Sequence, residues 1–262
     1  MQDNIKKPLI LVTNDDGITS KGIQLLAEVM KEFGEVVVLA PESPQSGMGH
    51  AVTVSKTLRL IETRHFNGIP SYQCSGTPVD CVKLAKHHVL RDRKPDLVVS
   101  GVNHGANTSI SVVYSGTISA ALEAAIDDIP AIAFSLCDFS PDADMMHVIP
   151  FIREITGNVI EKGITPGVAL NVNFPAHEKE MIRGIKICRQ AHARWHETFD
   201  QRYDPSGREY FWLAGDFVNM DKGEDHDVWA IENNYVAVVP LHTDMTAHFL
   251  IDQLSRSFNG KK

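Results

Sequence analysis

The sequence predicts an α/β fold, in which a mostly parallel β-sheet carries helices on both of its faces. The first observation is alternation. As far as about Gly163, short apolar runs of strand length take turns with segments whose apolar residues recur at helical spacing. The second is that the run Leu9–Thr13 is apolar on both faces, which is typical of a strand buried inside a parallel sheet. Because neighbouring parallel strands need a crossover between them, this order predicts successive β-α-β units.

Local signals mark where the first helices begin and end. Ser20 suits an N-cap, because its hydroxyl can accept a hydrogen bond from a backbone N–H of the first helical turn. The segment Ile23–Met30 then presents one apolar stripe, and Gly34 ends the helix. Pro78 opens a second helix and Asp80 lies in its first turn, where a carboxylate favours the helix dipole.

The remaining elements follow from the same patterns. The predicted strands are Leu9–Thr13, Glu35–Pro41, two or three between Val52 and Gln73, Asp96–Gly101, Pro130–Leu136, Gly167–Pro175, Gly184–Gln190 and Tyr235–Leu241. The predicted helices lie between Ser20 and Gly34, from Pro78 to about Leu90, and over Ser115–Asp127, Met145–Glu161 and Asp244–Phe258.

The segment Thr198–Phe217 predicts a long β-hairpin, which extends the fold near its C-terminal end. The letters DPSG form a turn signal between two aromatic-rich, partly alternating runs. Its aromatic residues indicate either that the hairpin packs on something beyond its own core or that it folds on its own sheet. After the hairpin, the acidic segment Asp221–Asp227 is expected to be a solvated loop.

Composition excludes several classes of protein. The chain has 262 residues, 43% of them hydrophobic and 22% charged, which is an ordinary globular balance. The net charge of −8 leaves no broad basic surface for duplex nucleic acid. The four cysteines form no CxxC pair, so we expect reduced thiols in a cytoplasmic protein. No apolar run is long enough to span a bilayer, so no membrane partner is expected.

Oxygen-bearing side chains follow three of the predicted strands, at the point where each strand ends. They are Asn14, Asp15 and Asp16 after the first strand, Ser43 and Ser46 after the second, and Asn103 and Asn107 after the strand Asp96–Gly101. Ligands of an open parallel sheet bind beyond the carboxyl ends of its strands, so we expect these loops to converge. Adjacent ionised carboxylates repel each other, and their oxygens suit Mg²⁺, Mn²⁺ or Ca²⁺. The sequence therefore predicts a divalent cation at Asp15 and Asp16.

The alternative for the acidic pair is a tight strand-to-helix turn, because Asp-Gly is a common turn pair. A phosphate site is indicated by Ser75–Pro78 and Ser115–Thr117, since each precedes a predicted helix whose free N–H groups attract anions. Here the alternative is that these hydroxyls only cap the helices. No Walker lysine follows, and no GxGxxG motif follows a strand, so a P-loop and a dinucleotide site are not expected.

Several segments in fixed order resemble a known family. They are "LVTNDDGI", "QSGMGH", "SGTPVDCVKLA", "DLVVSGVNHGAN", "YSGTISAALEA" and "LNVNFP", followed more loosely by "RWHETFDQRYDPSGREYFWLAGD". Together they resemble the SurE (stationary-phase survival protein) family of metal-dependent nucleotidases. The resemblance implies a Rossmann-like core in a single domain over residues 1–262. It also implies hydrolysis of nucleoside 5′- and 3′-monophosphates, and sometimes of short polyphosphate.

The resemblance also assigns residues. The family's metal ligands fall on Asp15, Asp16, Ser46 and Asn103, which would hold one divalent cation per subunit. Mg²⁺ or Mn²⁺ is the expected ion, and Ca²⁺ is one that crystals can carry. His104 stands at the basic position of the family's GVN-basic-G pattern. There it would contact the phosphate or protonate the leaving group; the alternative is a loop histidine that faces water.

Both lines lead to a catalytic hypothesis that uses Asp15, Asp16 and Asn103. One aspartate takes a proton from an attacking water, or an aspartate forms a covalent phosphoenzyme. The expected phosphate contacts are Asn14, His104, Asn107, Ser115, Gly116 and Thr117. The resemblance further implies a homodimer or homotetramer that exchanges C-terminal segments, with the hairpin Thr198–Phe217 as the candidate arm. A non-catalytic module that binds a divalent metal or a nucleotide is the alternative function.

Overall fold

The first strand of the chain lies inside a mostly parallel sheet, as predicted. A computed structural model describes residues 7–140, 142–176 and 181–259. In chain order its strands are β1 (Leu9–Thr13), β2 (Glu35–Pro41), β3 (Leu60–Thr63), β4 (Ser71–Cys74), β5 (Leu97–His104), β6 (Ala131–Leu136), β7 (Val168–Phe174), β8 (Ile185–Ile187), β9 (Ala193–Tyr203), β10 (Glu209–Asn219) and β11 (Val236–His242). Its α-helices are α1 (Lys21–Met30), α2 (Pro78–Leu84), α3 (Gly116–Ile126), α4 (Ile149–Lys162), α5 (Asp227–Glu232) and α6 (His248–Asn259).

Over these described ranges, nine strands form one sheet in the order β3-β4-β2-β1-β5-β6-β7-β11-β8. The central pairs β4–β2, β2–β1, β1–β5, β5–β6 and β6–β7 are all parallel. Antiparallel pairing occurs between β3 and β4 at one edge and between β7 and β11 near the other. The chain is therefore an α/β protein whose sheet is mostly parallel, and the prediction is confirmed.

Two apolar layers cover the sheet, one on each face. Successive residues of β1 point to opposite faces, so Ile10 packs with Ile23 of α1 in one layer and Leu11 packs with Ile118 of α3 in the other. Helix α4 joins the first layer and α2 joins the second. At the start of α1, Ser20 is the N-cap and its side chain accepts from the backbone N–H of Ile23. Helices on both faces are thus confirmed.

The hairpin is longer than its predicted bounds. Strands β9 and β10 pair antiparallel from Ala193↔Asn219 to Tyr203↔Glu209, around a turn at Asp204. Side chains are exposed along most of both strands, and only the base of the hairpin packs on the rest of the protein. The additional pairs join Ala193–Glu197 to Gly215–Asn219, on the far side of the hairpin from the turn signal on which the prediction was centred.

The expectation of a solvated loop at Asp221–Asp227 is wrong at its last two residues, because His226 is also buried, at 1% exposed. Asp227 is fully buried and begins α5, a helix that was not predicted. Its carboxylate accepts from the backbone N–H groups of Ser109, Ala191 and Val228 at 2.8–2.9 Å. Two of these donors come from segments far away in the sequence, which is why local charge density did not reveal the role of this aspartate.

The ends of two helices differ from the predicted ones. Helix α6 begins at His248 instead of Asp244, because the Asp244 side chain accepts from the backbone N–H of Thr246 in a turn before the helix. Helix α2 ends at Leu84 and continues as a π-helical turn over Ala85–Val89. No helix in the described ranges combines the length and the apolarity that crossing a lipid bilayer requires.

Candidate active site

The carboxyl ends of β1 and β5 form a crevice where the strand order reverses. From β1 the chain proceeds to β2 on one side, whereas β5 pairs with β1 on the other side. Thr13 lies opposite Ser100 in that second pair, so the acidic pair Asp15–Asp16 and Asn103 leave the sheet at the same edge. Crevices at such switch points are the usual ligand sites of open α/β sheets.

The N-terminus of α3 lies directly against Asp15. The hydroxyl of Thr117 donates a hydrogen bond to Asp15 Oδ1. Gly116 allows this approach, because a Cβ at that position would lie 2.8 Å from Asp15 Cβ and 3.0 Å from Asp15 Oδ2. The first N–H groups of a helix have no partner within the helix and carry its positive dipole end. The packing therefore places the buried carboxylate of Asp15 beside the N–H groups of a helix N-terminus, and the N–H of Thr117 interacts with that carboxylate.

Burial perturbs both carboxyl groups of the pair. Asp15 is 4% exposed, and this burial raises its pKa to about 6, against the hydrogen bond from Thr117 and with a further rise from the charge of Asp16. Burial also raises the pKa of Asp16, although its carboxylate accepts from the backbone N–H of His104 at 3.2 Å. Both shifts report that negative charge is disfavoured here, which is the condition that a bound cation relieves.

Asn103 uses its amide hydrogens within its own loop at the end of β5. A register shift between Ser100 and Asn103 bends the carboxyl end of β5. The amide nitrogen Nδ2 of Asn103 donates to the backbone oxygens of Gly105 at 2.8 Å and His104 at 3.2 Å. Because both donor hydrogens are used within the loop, Oδ1 is the group of this side chain that remains for a ligand.

The loop that carries Ser46 is attached to the acidic pair through its backbone. The N–H of Gln45 donates to the carbonyl oxygen of Asp15 at 2.8 Å, so Ser46 follows one residue after that contact. The Ser46 side chain itself is exposed. Farther along, His50 Nε2 lies 3.1 Å from Glu123 Oε2 of α3, and this contact ties the loop to the helix that covers Asp15.

Several of the predicted phosphate contacts already serve the scaffold. The amide nitrogen of Asn14 donates to Gly17 O at 3.0 Å and Ser20 Oγ at 2.8 Å within the turn. Ser115 caps α3 by accepting from the N–H of Ile118 at 3.1 Å. These two side chains fit the alternative roles of turn former and helix cap. At the same helix end, the backbone N–H of Thr117 interacts with the Asp15 carboxylate, and the N–H of Gly116 lies beside it.

The second serine-glycine-threonine segment fits the capping alternative too. Thr77 and Asp80 form a capping box, in which Thr77 Oγ1 accepts from Asp80 N at 3.1 Å and Asp80 Oδ2 accepts from Thr77 N at 2.9 Å. His104, in contrast, is half-buried, and its Nδ1 is buried without a hydrogen-bond partner among the described residues. Its ring is therefore not simply a solvated loop side chain.

The chain also matches a family model, described as "Survival protein SurE", over residues 10–197. The chain belongs to the SurE family. A protein of Cytophaga hutchinsonii named 5′-nucleotidase SurE is 63% identical over 254 residues, which are 97% of this chain and 98% of that protein. One of Flavobacterium psychrophilum with the same name is 57% identical over 252 residues, 96% of this chain and 98% of that protein.

A solved structure supports the same assignment. The crystal structure of the SurE protein from Aquifex aeolicus is 37% identical and superposes with a TM-score of 0.81. The alignment spans 96% of this chain and 100% of the Aquifex aeolicus chain. The SurE fold therefore includes the C-terminal region as well as the segment that the family model matches.

The donor set of this SurE chain fits a hard divalent cation. The crevice combines two adjacent carboxylates with the amide oxygen of Asn103, and the Ser46 hydroxyl follows a loop contact to Asp15. All of these ligand atoms are oxygens, which suit Mg²⁺ or Mn²⁺. Among the residues that the structure describes, no group of three or more His, Cys, Asp or Glu side chains is placed to hold a metal ion.

Two asparagines that hold the Asn107 loop were not predicted from the sequence. Asn171 and Asn173 alternate along β7 and are both fully buried. Asn171 Nδ2 donates to Asn107 O at 2.9 Å, and Asn173 Oδ1 accepts from Asn107 N at 2.8 Å. The Asn107 side chain in turn donates to Ser135 Oγ at 2.8 Å. The signal in the sequence is an asparagine at every second position of an apolar strand, since buried amides require partners.

Proposed function

We propose that this protein is a metal-dependent phosphomonoesterase that hydrolyses nucleoside 5′-monophosphates to nucleoside and inorganic phosphate. Relatives that align over nearly the whole chain are named 5′-nucleotidase SurE. The observation that carries the proposal is the packing of Asp15 beneath Thr117 at the N-terminus of α3. It joins a candidate cation site to a candidate phosphate site. Nucleoside 3′-monophosphates and short polyphosphate are proposed as further substrates.

Asp15, Asp16, Asn103 Oδ1 and Ser46 would hold one divalent cation, with Mg²⁺ or Mn²⁺ as the proposed ion. When bound, such an ion neutralises phosphate charge, polarises a phosphoryl oxygen and lowers the pKa of a coordinated water. The oxygen ligands support this assignment, and the raised pKa of Asp15 indicates that the crevice favours a compensating positive charge.

The chain's own groups then bind and orient the phosphate. The backbone N–H of Gly116 would donate to a phosphoryl oxygen, whereas the N–H of Thr117 interacts with the Asp15 carboxylate and orients it. The carboxylate of Asp15 or Asp16 takes a proton from a water whose oxygen attacks phosphorus. The ester P–O bond breaks, its electron pair passes to the nucleoside oxygen, and that oxygen takes up a proton. The half-buried ring of His104, beside the Asp16 contact, is the proposed donor.

A phosphate-release assay tests the proposal against the non-catalytic alternative. The full-length protein is incubated with 5′-AMP and Mn²⁺ or Mg²⁺, and a parallel sample contains excess EDTA. We expect phosphate release that EDTA abolishes and added Mn²⁺ restores. If nucleotide and metal bind but no phosphate appears with any nucleoside monophosphate, the protein is a binding module. A panel of 3′-AMP and polyphosphate in the same assay defines the further substrates.

We also propose that the protein acts in the cytoplasm, as a single-domain subunit over residues 1–262 in a homodimer or homotetramer. The exposed aromatic side chains of β9 and β10 support a role of the hairpin in contacts between subunits, because they are larger apolar groups than a solvated hairpin requires. Exchange of C-terminal segments would bury those of the outer part of the hairpin, Phe199, Tyr203, Tyr210 and Phe211. Sedimentation of the full chain and of a chain without residues 198–217 tests this role.

A further inference from the structure

A second cavity lies beside the candidate active site, at the base of the hairpin. Its volume is about 590 Å³. It is lined by Gly47, by Tyr114 and, on the hairpin, by Trp195, Glu197 and the segment Leu213–Gly215. A cavity of this size is within the range that holds small organic ligands. None of these residues is among the groups assigned above to the cation or the phosphate.

Two residues that line the cavity are sequence neighbours of residues in the candidate cation and phosphate sites. Gly47 directly follows Ser46, and Tyr114 directly precedes Ser115. The two walls are joined, because the N–H of Gly49 donates to the carbonyl oxygen of Tyr114 at 3.0 Å. A phosphate held at the N-terminus of α3 therefore has this cavity as a neighbour on the side of the Ser46 loop. The organic part of a phosphate ester would extend into it.

The lining suits a flat aromatic group and not a second phosphate. Trp195 and Tyr114 are 45% and 53% exposed, so their ring surfaces are accessible from the cavity. The Trp195 ring is held edge-on by Phe217, with ring centroids 5.5 Å apart and planes at 62°. Glu197 is the one carboxylate among the described lining residues, and it repels a phosphate and accepts hydrogen bonds from neutral donors.

We propose that this cavity is the nucleobase subsite, in which the base stacks on Trp195 and Tyr114 while the phosphate lies at the N-terminus of α3. This inference rests on the proposed function, since it places the nucleoside part of the same substrate. Stacking on aromatic side chains tolerates every base, because each base has a π-face. Purines present the larger face, so purine nucleotides bind more tightly than pyrimidine nucleotides. Glu197 accepts from a base or ribose donor.

Steady-state kinetics of the Mn²⁺-loaded full chain test the subsite. The KM for 5′-AMP is compared with the KM for ribose 5-phosphate, which has the same ester and sugar but no base. In the wild-type protein we expect the lower KM for 5′-AMP. Trp195→Ala and Tyr114→Ala should each reduce this advantage about tenfold or more, since base stacking contributes on the order of 1–3 kcal/mol per base. The change should appear in KM and not in kcat.

The matched control is Trp212→Ala, because Trp212 is a 60% exposed tryptophan of the same hairpin that does not line the cavity. It should leave the KM ratio at the wild-type value. Tyr114 lies outside the hairpin, so its variant separates base binding from any effect of Trp195→Ala on assembly. Sedimentation of each variant at the assay concentration monitors that effect.

Binding of adenosine gives a readout that needs no catalysis. Adenosine should quench tryptophan fluorescence in the wild-type protein, and the quench should be lost in Trp195→Ala but kept in Trp212→Ala. An equal KM for both esters in wild type, or an unchanged ratio in both cavity variants, would overturn the subsite. If adenosine binds through Trp195 but no phosphomonoester is hydrolysed, the subsite stands and the proposed enzymatic function fails.

Discussion

Glu123 is the residue whose replacement gives the sharpest test of the forces that hold this fold together. It lies on α3 and is 3% exposed, yet it is ionised and hydrogen-bonded. Lys83 Nζ lies 2.7 Å from its Oε1, Lys86 Nζ lies 3.3 Å from the same oxygen, and His50 Nε2 lies 3.1 Å from Oε2. Lys86 also pairs with Asp127. One carboxylate therefore joins α2, α3 and the loop that carries Ser46.

The magnitude follows from the pKa of this group. Burial raises the pKa of Glu123, but the hydrogen bonds from His50 and Lys83 and the charges of Lys86 and Lys83 outweigh it and lower the pKa from 4.5 to about 2. Such a shift corresponds to roughly 3 kcal/mol of stability at neutral pH. Removing one partner of a buried ion pair costs a similar amount, about 3–5 kcal/mol. We therefore expect Glu123→Gln to lower the free energy of unfolding by roughly 3 kcal/mol.

Urea unfolding at one protein concentration measures this loss. With an m-value of about 3 kcal/mol/M, the midpoint should fall by about 1 M. Because the folded-state pKa is depressed, the contribution is complete above pH 4.5 and disappears as pH falls toward about 2. The difference between wild type and Glu123→Gln should therefore be constant from pH 7 to pH 5. It should decrease to roughly 2 kcal/mol at pH 3.5.

The control is Glu161→Gln, an exposed position at the end of α4, where we expect a change within about 0.5 kcal/mol. Equal midpoints for wild type and Glu123→Gln at pH 7 would refute the reasoning. So would a difference that stays the same size at pH 3.5, because a loss that does not follow the titration of Glu123 would come from packing and not from its charge.

Three further substitutions test the site. Asp15→Asn should reduce turnover about a hundredfold or more with the fold retained by circular dichroism, whereas Asp92→Asn, at an exposed loop, should not; near-normal turnover would contradict the role of Asp15. Ser46→Ala should raise the Mn²⁺ concentration needed for half-maximal activity with a smaller loss of turnover, since water can replace a neutral ligand; loss of the fold would make Ser46 structural. Gly116→Ala should weaken Mn²⁺ binding in calorimetry, because the new Cβ would lie 3.0 Å from Asp15 Oδ2. The control is Gly157→Ala, whose Cβ would lie 3.7 Å from the ring of Phe33. It should leave Mn²⁺ binding unchanged and stabilise the protein by about 0.5 kcal/mol.

The sequence could predict the elements whose signals are local. Alternating apolar runs predicted the strands, because a strand buried on both faces must be apolar throughout, and the Ser20 cap needs only the three residues that follow it. Strands β1, β2 and β5 run parallel, and the carboxyl ends of parallel strands lie at the same edge of a sheet. For the same reason, the sequence could predict that the loops after these strands meet at one edge.

What local signals could not predict depends on contacts between distant segments. Asp227 looks like part of an acidic loop, but it is buried because backbone N–H groups of Ser109 and Ala191 donate to it. The role of Gly116 appears only when α3 is placed against Asp15. Glu123 is four residues before Asp127 on a helix of small residues, and nothing near it in the chain indicates that His50 will reach it.

These long-range contacts fit the proposed role of Ser46, an exposed loop residue, as a ligand at the crevice. The Ser46 loop is fastened on both sides: Gln45 N donates to Asp15 O, and His50 contacts Glu123. Farther along, the carbonyl oxygen of Ala51 accepts from Thr77 Oγ1 at 2.7 Å, which ties the segment to the start of α2. A ligand side chain on a loop costs conformational entropy each time it is ordered. These contacts order the loop during folding, so ion binding does not have to order it. The residues that stabilise the protein therefore also position the loop of its candidate active site.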